Sequence, residues 1–288
     1  EVNSMYSIWI LEYCRVYKQP LSSVLNGQHN KGYRELSFTY ALLKGNGHTA
    51  LIDTGTNGED ETTKRYHLRD DVHDWQPPRA ILAKVGVTPE EIDTVLITHA
   101  HYDHMDNLAA FPNAQFYVQE KEILGWTWAM TREKRFRAPN MALKPQNILD
   151  ALKLADEGRL HLVDGPVKDI LPDIDLYPAF DGHTFGSQVI AVHQGEDTLA
   201  FVGDLMYVRE NLTGIGGDGV YVPVGLAVGS PYNQTKTFDE VLKLVHGKKE
   251  NVIIGHETDN FDIYPSKKYG DGLYVAELCL ADGEASRL

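Results

Sequence analysis

The sequence predicts one α/β domain, residues 1–288, in which helices lie outside two packed β-sheets. Short apolar runs rich in β-branched and aromatic residues come first, strands and helices then alternate, and strands return near the end. No repeat, low-complexity tract or linker interrupts this order. A chain of 288 residues is also long enough to bury a substantial core.

The predicted elements follow from local residue patterns. The expected strands are Ser7–Tyr17, Ser37–Lys44, Thr49–Ile52, Thr94–Ile97, Gln115–Val118, Leu160–Val163, Ile174–Pro178, Val189–Val192, Thr198–Val202, Asn251–Ile254 and Leu273–Leu280. The expected helices are Pro78–Val85, a helix that begins at Gln119, and Phe238–Val245. Residues 56–76 are highly charged, so we expect a surface excursion in which His67 and His73 are solvated.

A helical excursion away from the sheets is predicted at about residues 120–157. It contains apolar residues interleaved with Arg and Lys, namely Trp126, Trp128, Met130, Phe136 and Met141. Three uses of these side chains stay open: core packing, the contact face of a homodimer, and the wall of an apolar pocket.

The formal net charge of -14 argues against a polyanionic partner, so we expect no nucleic acid to bind. No apolar run approaches the length of a membrane span, and no signal peptide is visible, which predicts a cytoplasmic protein that does not contact a membrane. Cys14 and Cys279 imply no disulfide framework, and we expect reduced thiols.

Metal-binding residue types cluster directly after the predicted strand Thr94–Ile97. The cluster comprises His99, His101, Asp103 and His104. His99 and His101 are two positions apart in an extended segment, so they point to one side. Asp103 and His104 follow once the chain has bent, so they can face a second point. Imidazole and carboxylate groups without thiolates suit Zn, Fe, Mn or Co. A ligand set that leaves a coordination position of the metal open is typical of a catalytic site.

Three further candidate ligands, His183, Asp204 and His256, each come soon after a predicted strand. Strand ends place side chains on the rim of a sheet, so several strands can converge on one cleft. Together with the first cluster they offer five imidazoles and two carboxylates, enough for two metals that share a bridging carboxylate. Asp53, at the end of another predicted strand, either orients a metal-bound histidine or caps a turn.

This order of residues resembles the metallo-β-lactamase superfamily. His-x-His-x-Asp-His at 99–104 is followed by Gly-His at 182–183, Gly-Asp at 203–204 and Gly-His at 255–256. The resemblance covers residues from about Ser37 to Glu257 and implies an αββα sandwich, with two mixed β-sheets packed face to face. It also implies that one metal is bound by His99, His101 and His183, that a second is bound by Asp103, His104 and His256, and that Asp204 bridges them.

Within the superfamily the chain is most similar to the N-acyl homoserine lactonase branch. That branch places a tyrosine hydroxyl at the substrate carbonyl, three residues after the bridging aspartate, and Tyr207 matches this position. The chain differs from the branch at Met105-Asp106-Asn107, where small residues or glycines are usual. Phe185 replaces a common proline of the superfamily, and the loop Gly214–Gly229 matches nothing known in the branch.

The resemblance implies a hydrolase that opens a lactone ring through a hydroxide bridging two divalent metal ions, with Zn²⁺ expected and Mn, Fe or Co as alternatives. Tyr207 would stabilise the oxyanion, and Asp103 would pass a proton to the leaving oxygen. Quorum quenching follows if the substrate is an acyl homoserine lactone. The alternatives are hydrolysis of a cyclic amide or imide, hydrolysis of a thioester as in glyoxalase II, and, least favoured, a non-catalytic metal-binding scaffold.

Two sets of residues are candidate contacts for the small-molecule substrate. Trp126 and Phe136 would build an apolar groove for an acyl chain. His29 lies in a polar loop that would instead recognise a compact polar or anionic lactone.

Overall fold

The structure, a computed structural model, describes residues 6–288. Its strands are β1 (Tyr6–Pro20), β2 (Tyr33–Gly45), β3 (His48–Ile52), β4 (Val72–His73), β5 (Thr94–Leu96), β6 (Gln115–Gln119), β7 (Leu160–Val163), β8 (Val167–Leu171), β9 (Ile174–Pro178), β10 (Gln188–Gln194), β11 (Asp197–Phe201), β12 (Val252–Ile253), β13 (Ser266–Lys268) and β14 (Tyr274–Cys279). The α-helices are α1 (Leu21–Val24), α2 (Glu61–Asp70), α3 (Pro78–Ala83), α4 (Tyr102–Met105), α5 (Glu120–Met130), α6 (Pro145–Asp156), α7 (Glu210–Thr213), α8 (Pro231–Leu244) and α9 (Asn260–Ile263).

The strands form two mixed sheets. The larger sheet has the order β13-β14-β1-β2-β3-β5-β6-β7, and β4 pairs with β1. In this sheet β3, β5, β6 and β7 run parallel, and the other neighbours are antiparallel. The smaller sheet has the order β12-β11-β10-β9-β8, in which β11 and β12 are parallel.

Alternating side chains divide the core into three layers, as the pleat of a strand requires. Ile10 of β1 and Ile190 of β10 belong to one cluster between the two sheets. Trp9 faces the other way, toward the helices that cover the larger sheet. Val189 packs with Phe238 of α8 on the outer face of the smaller sheet. The order helices, sheet, sheet, helix confirms the predicted αββα sandwich.

The strand ends that precede the candidate ligands meet at one edge of this sandwich. In the larger sheet Ile52 of β3 pairs with Leu96 of β5. In the smaller sheet Phe201 of β11 pairs with Ile253 of β12. Because each pair runs parallel, the two strands of a pair end side by side, and the residues that follow them leave the sheet at the same edge.

Two predictions about local structure were wrong. His67 lies on α2 and is half-buried, because its imidazole shares a hydrogen bond with the Thr56 hydroxyl and its ring lies beside Trp75. Helix α8 begins at Pro231 rather than at Phe238. The Ser230 side chain accepts a hydrogen bond from the Asn233 amide, so a serine cap and a proline start the helix about two turns earlier.

The excursion predicted at 120–157 consists of α5, two 3₁₀ turns and α6. Among residues 6–288, no helix combines the length and the apolar character that crossing a bilayer requires.

Candidate metal centre

Three imidazoles and a carboxylate form a first buried cluster. The Nδ1 of His101 lies 3.1 Å from Nε2 of His99 and 3.0 Å from Nε2 of His183. Oδ2 of Asp204 lies 3.7 Å from Nε2 of His99 and 3.3 Å from Nε2 of His183. These four ligand atoms all lie within 4.8 Å of one another, close enough to share one metal ion.

A second cluster lies on the other side of the same aspartate. Nε2 of His104 and Nε2 of His256 each lie 3.0 Å from Oδ1 of Asp204. Oδ2 of Asp103 lies 3.4 Å from Nε2 of His104 and 3.8 Å from Nε2 of His256. Asp204 therefore presents one carboxylate oxygen to each cluster, which is the arrangement that a bridging ligand needs.

The second cluster contains polar atoms that the described protein atoms leave unsatisfied. Nε2 of His104, Nε2 of His256 and Oδ1 of Asp204 are buried and have no hydrogen-bond partner within residues 6–288. A buried polar atom without a partner costs about 1–3 kcal/mol. A divalent cation among them would satisfy all three atoms, so the donor set fits a pair of metal ions that share Asp204.

Outer hydrogen bonds fix two of the imidazoles. Nδ1 of His104 lies 2.7 Å from Oδ2 of Asp53, and Nδ1 of His256 donates to the carbonyl of Ser37 at 2.8 Å. Asp53 adopts a left-handed backbone conformation with φ 66°, and its carboxylate accepts bonds of 2.7 Å from the Thr98 amide and hydroxyl. With Nδ1 engaged in this way, Nε2 of each ring faces the cluster.

The two clusters differ in protonation. Burial, with help from His104, holds the pKa of His99 well below its ordinary value, and burial with His183 lowers the pKa of His101 to about 3. Burial alone would also lower the pKa of His104, but Asp204 and Asp103 outweigh it and raise that pKa well above the ordinary value. In the metal-free protein, His99 and His101 are therefore neutral at pH 7, whereas His104 carries a proton.

An open cleft of about 190 Å³ leads to both clusters. His101, Asp103, His183 and Tyr207 form its floor. Its walls are mostly apolar and comprise Leu36, Phe38, Ala138, Pro139, Met141, Ala142, Leu226, Ala227 and Val228, with Gln19, Arg69, Asp70 and Tyr102 as polar members. A largely apolar cleft with a few convergent polar groups is typical of a small-molecule site.

Tyr207 connects the cleft to the clusters. Its hydroxyl donates a hydrogen bond to Oδ2 of Asp204, and its ring stacks on His256 with centroids 4.8 Å apart. Burial and the charge of Asp204 raise the pKa of Tyr207 well above its ordinary value. The phenol therefore stays protonated at neutral pH and can only serve there as a neutral hydrogen-bond donor.

The three predicted substrate contacts do not line the cleft. Trp126 is fully buried, lies beside His101 with ring centroids 5.6 Å apart, and donates from Nε1 to Glu122. Phe136 is 55% exposed on the surface of the excursion, and His29 is exposed on its loop. Of the apolar residues that the sequence offered as a pocket wall, Met141 does line the cleft, and the other walls come from residues that the sequence did not single out.

One such wall is a strap, residues 137–144, which α2 holds in place. The hydrogen bonds run from Arg69 Nη1 to the Met141 carbonyl (2.7 Å), from Tyr66 Oη to the Leu143 carbonyl (3.2 Å) and from Lys144 Nζ to Thr63 Oγ1 (3.1 Å). The three α2 residues are spaced three apart, so they share one face of the helix. The charged excursion at 56–76 thus anchors one side of the cleft.

The opposite wall comes from the glycine-rich loop at 214–229. The Val228 amide donates to the His183 carbonyl at 2.8 Å, which fixes the loop to the first cluster. A Cβ atom on Gly225 would lie 2.0 Å from the Ser22 carbonyl, and one on Gly229 would lie 1.9 Å from the Asp181 carbonyl. Glycine is required at both positions because backbone packs directly on backbone.

Curated relatives match parts of the chain. A probable metallo-hydrolase of Methanocaldococcus jannaschii is 27% identical over 176 residues, which are 61% of this chain and 62% of that protein. The exodeoxyribonuclease WalJ of Streptococcus pneumoniae is 23% identical over 63% of this chain and 59% of its own length. The transcription termination factor FttA of Thermococcus kodakarensis is 25% identical over 63% of this chain and 28% of its own length. The chain thus spans less than two thirds of each of these relatives.

Solved structures match nearly the whole chain. An N-acyl homoserine lactone hydrolase with N-hexanoyl-L-homoserine bound at its catalytic metal centre has a TM-score of 0.64 at 17% identity, over 91% of this chain and 97% of that chain. The hydrolase AbOPH has a TM-score of 0.66 at 17% identity, over 98% and 100%. A probable metal-dependent hydrolase of Staphylococcus aureus has a TM-score of 0.65 at 19% identity, over 88% and 90%. At such identities the similarity establishes the shared fold.

The sequence model of the metallo-β-lactamase superfamily matches residues 34–256, a segment that contains all seven candidate ligands. The chain therefore belongs to the metallo-β-lactamase superfamily.

Proposed function

We propose that this metallo-hydrolase opens the ring of a lactone. The observation that carries the proposal is the position of Tyr207, whose protonated hydroxyl lies at the floor of the cleft and contacts the carboxylate shared by both clusters. A product-bound N-acyl homoserine lactone hydrolase and the dizinc quorum-quenching lactonase AidC share this fold, which supports the proposal. Quorum quenching would follow if the substrate is an acyl homoserine lactone.

The seven residues of the two clusters would hold two divalent ions, with zinc the expected metal. Ions bound there would supply a strong nucleophile from water at neutral pH and would polarise the ester carbonyl. The shared Asp204 would fix the spacing between the two positions, and Asp53 would hold His104 in its orientation.

Tyr207 would stabilise negative charge on the carbonyl oxygen. Its phenol can donate a hydrogen bond but cannot ionise at neutral pH, because burial and Asp204 raise its pKa. When the ester carbon becomes tetrahedral, the hydroxyl would turn its single proton from Oδ2 of Asp204 to the developing oxyanion.

Asp103 would move the proton. Burial opposes its ionisation, but His104 holds the pKa of this carboxyl below its ordinary value, so Asp103 is ionised. Because it lies on the floor of the cleft, it can accept a proton from the attacking water and return it to the ring oxygen as the ester bond breaks.

The walls favour a neutral substrate with an apolar substituent. Of the described residues that line the cleft, Arg69 is the one with a permanent positive charge. Its guanidinium makes two bonds of 2.7 Å to the adjacent Asp70 and one to the Met141 carbonyl, so its charge is already paired and three of its five donors are engaged. A compact anionic lactone would therefore find no free countercharge among the described walls.

The experiment that tests this function measures acid release from lactones by zinc-loaded protein in a weakly buffered indicator solution. We expect hydrolysis of medium-chain N-acyl homoserine lactones to exceed that of compact anionic lactones. Matched cyclic amides, thioesters and single-stranded DNA are tested as alternative substrates by chromatography of the products, because opening an amide ring releases no net acid. If one of these is hydrolysed and the lactones are not, the proposed activity is wrong and that substrate class replaces it.

A homodimer also stays a proposal. Helices α5 and α6 expose Leu124, Trp128, Leu149 and Leu152, which supports an apolar contact face on the excursion. Light scattering coupled to gel filtration would measure the mass, and a Trp128→Glu variant of unchanged mass would contradict a dimer through this face.

A further inference from the structure

Glu122 is a completely buried carboxylate that the proposed reaction does not use. Its Oε1 accepts hydrogen bonds from the Ala100 amide at 2.8 Å and from Trp126 Nε1 at 2.7 Å. Its Oε2 accepts from the Thr184 hydroxyl at 2.8 Å and from the Gly186 amide at 2.6 Å. Each oxygen therefore has two donors, which fills the accepting capacity of the carboxylate.

These donors belong to the two loops that carry the first cluster. Ala100 lies between His99 and His101, and Thr184 directly follows His183. We propose that Glu122 is a positioning residue that sets the distance between these two loops and so determines how tightly the first cluster binds a metal. The inference rests on the proposed metal centre, but it does not depend on which substrate is hydrolysed.

Close packing around Glu122 prevents the loops from adjusting freely. A Cβ atom on Gly186 would lie 2.2 Å from the Glu122 backbone nitrogen, and one on Gly125 would lie 2.5 Å from Cβ of Phe185. Glycine at both positions lets the loop after His183 lie directly against α5. The carboxylate is thus enclosed by its donors, so a hydrogen bond lost there is not replaced cheaply.

A glutamine in place of Glu122 would change one contact selectively. An amide NH₂ facing Ala100 and Trp126 would meet two groups that can only donate, so the NH₂ should turn toward Thr184, whose hydroxyl can accept. The Gly186 amide then loses its acceptor. Glu122→Gln should therefore loosen the loop of His183 and leave the segment between His99 and His101 in place.

The test measures binding of Co²⁺ alone, by competition with a chromophoric chelator and by the visible absorption of the bound ion. We expect Glu122→Gln to weaken the tighter Co²⁺ site by about 10–100-fold, the usual cost of losing an outer hydrogen bond to a metal site. Its absorption spectrum should also change. Unchanged affinity with an unchanged spectrum would overturn the inference.

Glu277→Gln is the matched control. Glu277 is also buried and also accepts from a tryptophan, Nε1 of Trp9 at 3.0 Å, but it lies on β14, away from the loops of the first cluster. We expect it to change the unfolding temperature without changing Co²⁺ affinity or absorption. Equal losses of affinity in both variants would show a general effect of buried carboxylates and would overturn the positioning role.

Thr184→Val provides a second variant if Glu122→Gln does not fold. It removes one of the four donors and keeps the carboxylate, so a smaller loss of Co²⁺ affinity is expected, whereas unchanged affinity would overturn the inference. Failure of the proposed function would give a different experimental result from failure of the positioning role. In that case the wild-type protein would bind Co²⁺ but hydrolyse no lactone, and the Glu122 comparison would still give its answer.

Discussion

The hydroxyl of Tyr207 donates a hydrogen bond to Oδ2 of Asp204. Tyr207 itself lies on the floor of the cleft. Asp204 is deeper and almost completely buried. A substrate that enters the cleft therefore meets the phenol before the carboxylate that the two clusters share.

Replacing Tyr207 with phenylalanine removes this donor and keeps the ring that stacks on His256. We expect turnover of the best lactone to fall by about 10²–10³, as for the loss of one oxyanion donor. Metal content should stay at two equivalents, because the phenol supplies none of the seven candidate ligands. Steady-state kinetics and elemental analysis measure the two quantities, and full activity in the variant would remove Tyr207 from the mechanism.

The two clusters should lose metal at different pH values. His104 has a raised pKa, so at every pH below that pKa a metal must displace its proton, and affinity in the second cluster rises with pH. His99 and His101 have lowered pKa values, and that of His101 is about 3, so protons compete less in the first cluster.

As the pH falls from 8 to 6, dialysed protein should therefore drop from two metal equivalents to one. The metal ion that remains at pH 6 should still be bound by the His256→Ala variant. The His183→Ala variant should lose it. If both equivalents leave together, or if His183→Ala keeps the retained one, the assignment of protonation states to the clusters is incorrect.

A buried ion pair should make the strap important for stability. Nζ of Lys144 donates to Oδ1 of Asp106 at 2.7 Å, and both side chains are buried. Lys144→Met would leave the Asp106 carboxylate without its cation, which we expect to lower the free energy of unfolding by about 3 kcal/mol. Lys64→Met, which removes an exposed pair with Glu61, should lower the free energy of unfolding far less. Urea unfolding measures the free energy of unfolding of both variants. Equal, small decreases in the two variants would contradict this role of the buried pair.

The contact between α2 and the strap should affect substrate binding more than chemistry. Arg69→Met removes the bond to the Met141 carbonyl, one of the three hydrogen bonds between α2 and the strap. We expect KM for a medium-chain lactone to rise several-fold while kcat changes little, because the strap lines the walls and contributes none of the candidate ligands. A large loss of kcat at unchanged KM would show that the strap acts on the reacting groups instead.

The candidate metal ligands could be singled out because most of them follow the end of a strand. A strand end fixes where a side chain leaves the sheet, and the parallel pairs β3–β5 and β11–β12 bring four such ends together. Asp53 could be singled out for the same reason, and it contacts His104. Whether these residues hold two metals in solution stays a prediction until metal content is measured.

Apart from Met141, the walls of the cleft were not predictable, since tertiary contacts place them. Arg69 and Lys144 hold the strap beside the cleft. Arg69 is far from the strap in sequence, and no sequence pattern marks Lys144. Asp106, which departs from the usual small residue of the branch, is explained only by its pairing with Lys144. Trp126 shows the same limit, because an apolar residue in a helix does not reveal whether it faces the core or a cleft.

Titration of metal-free protein with Zn²⁺, followed by hydrolysis of a medium-chain N-acyl homoserine lactone after each addition, tests the central claim most directly. We predict little hydrolysis up to one equivalent, a steep rise to a plateau at two equivalents, and no rise in Asp204→Asn. Full activity at one equivalent would contradict a two-metal centre. Two bound equivalents with no lactone hydrolysis would contradict the proposed reaction.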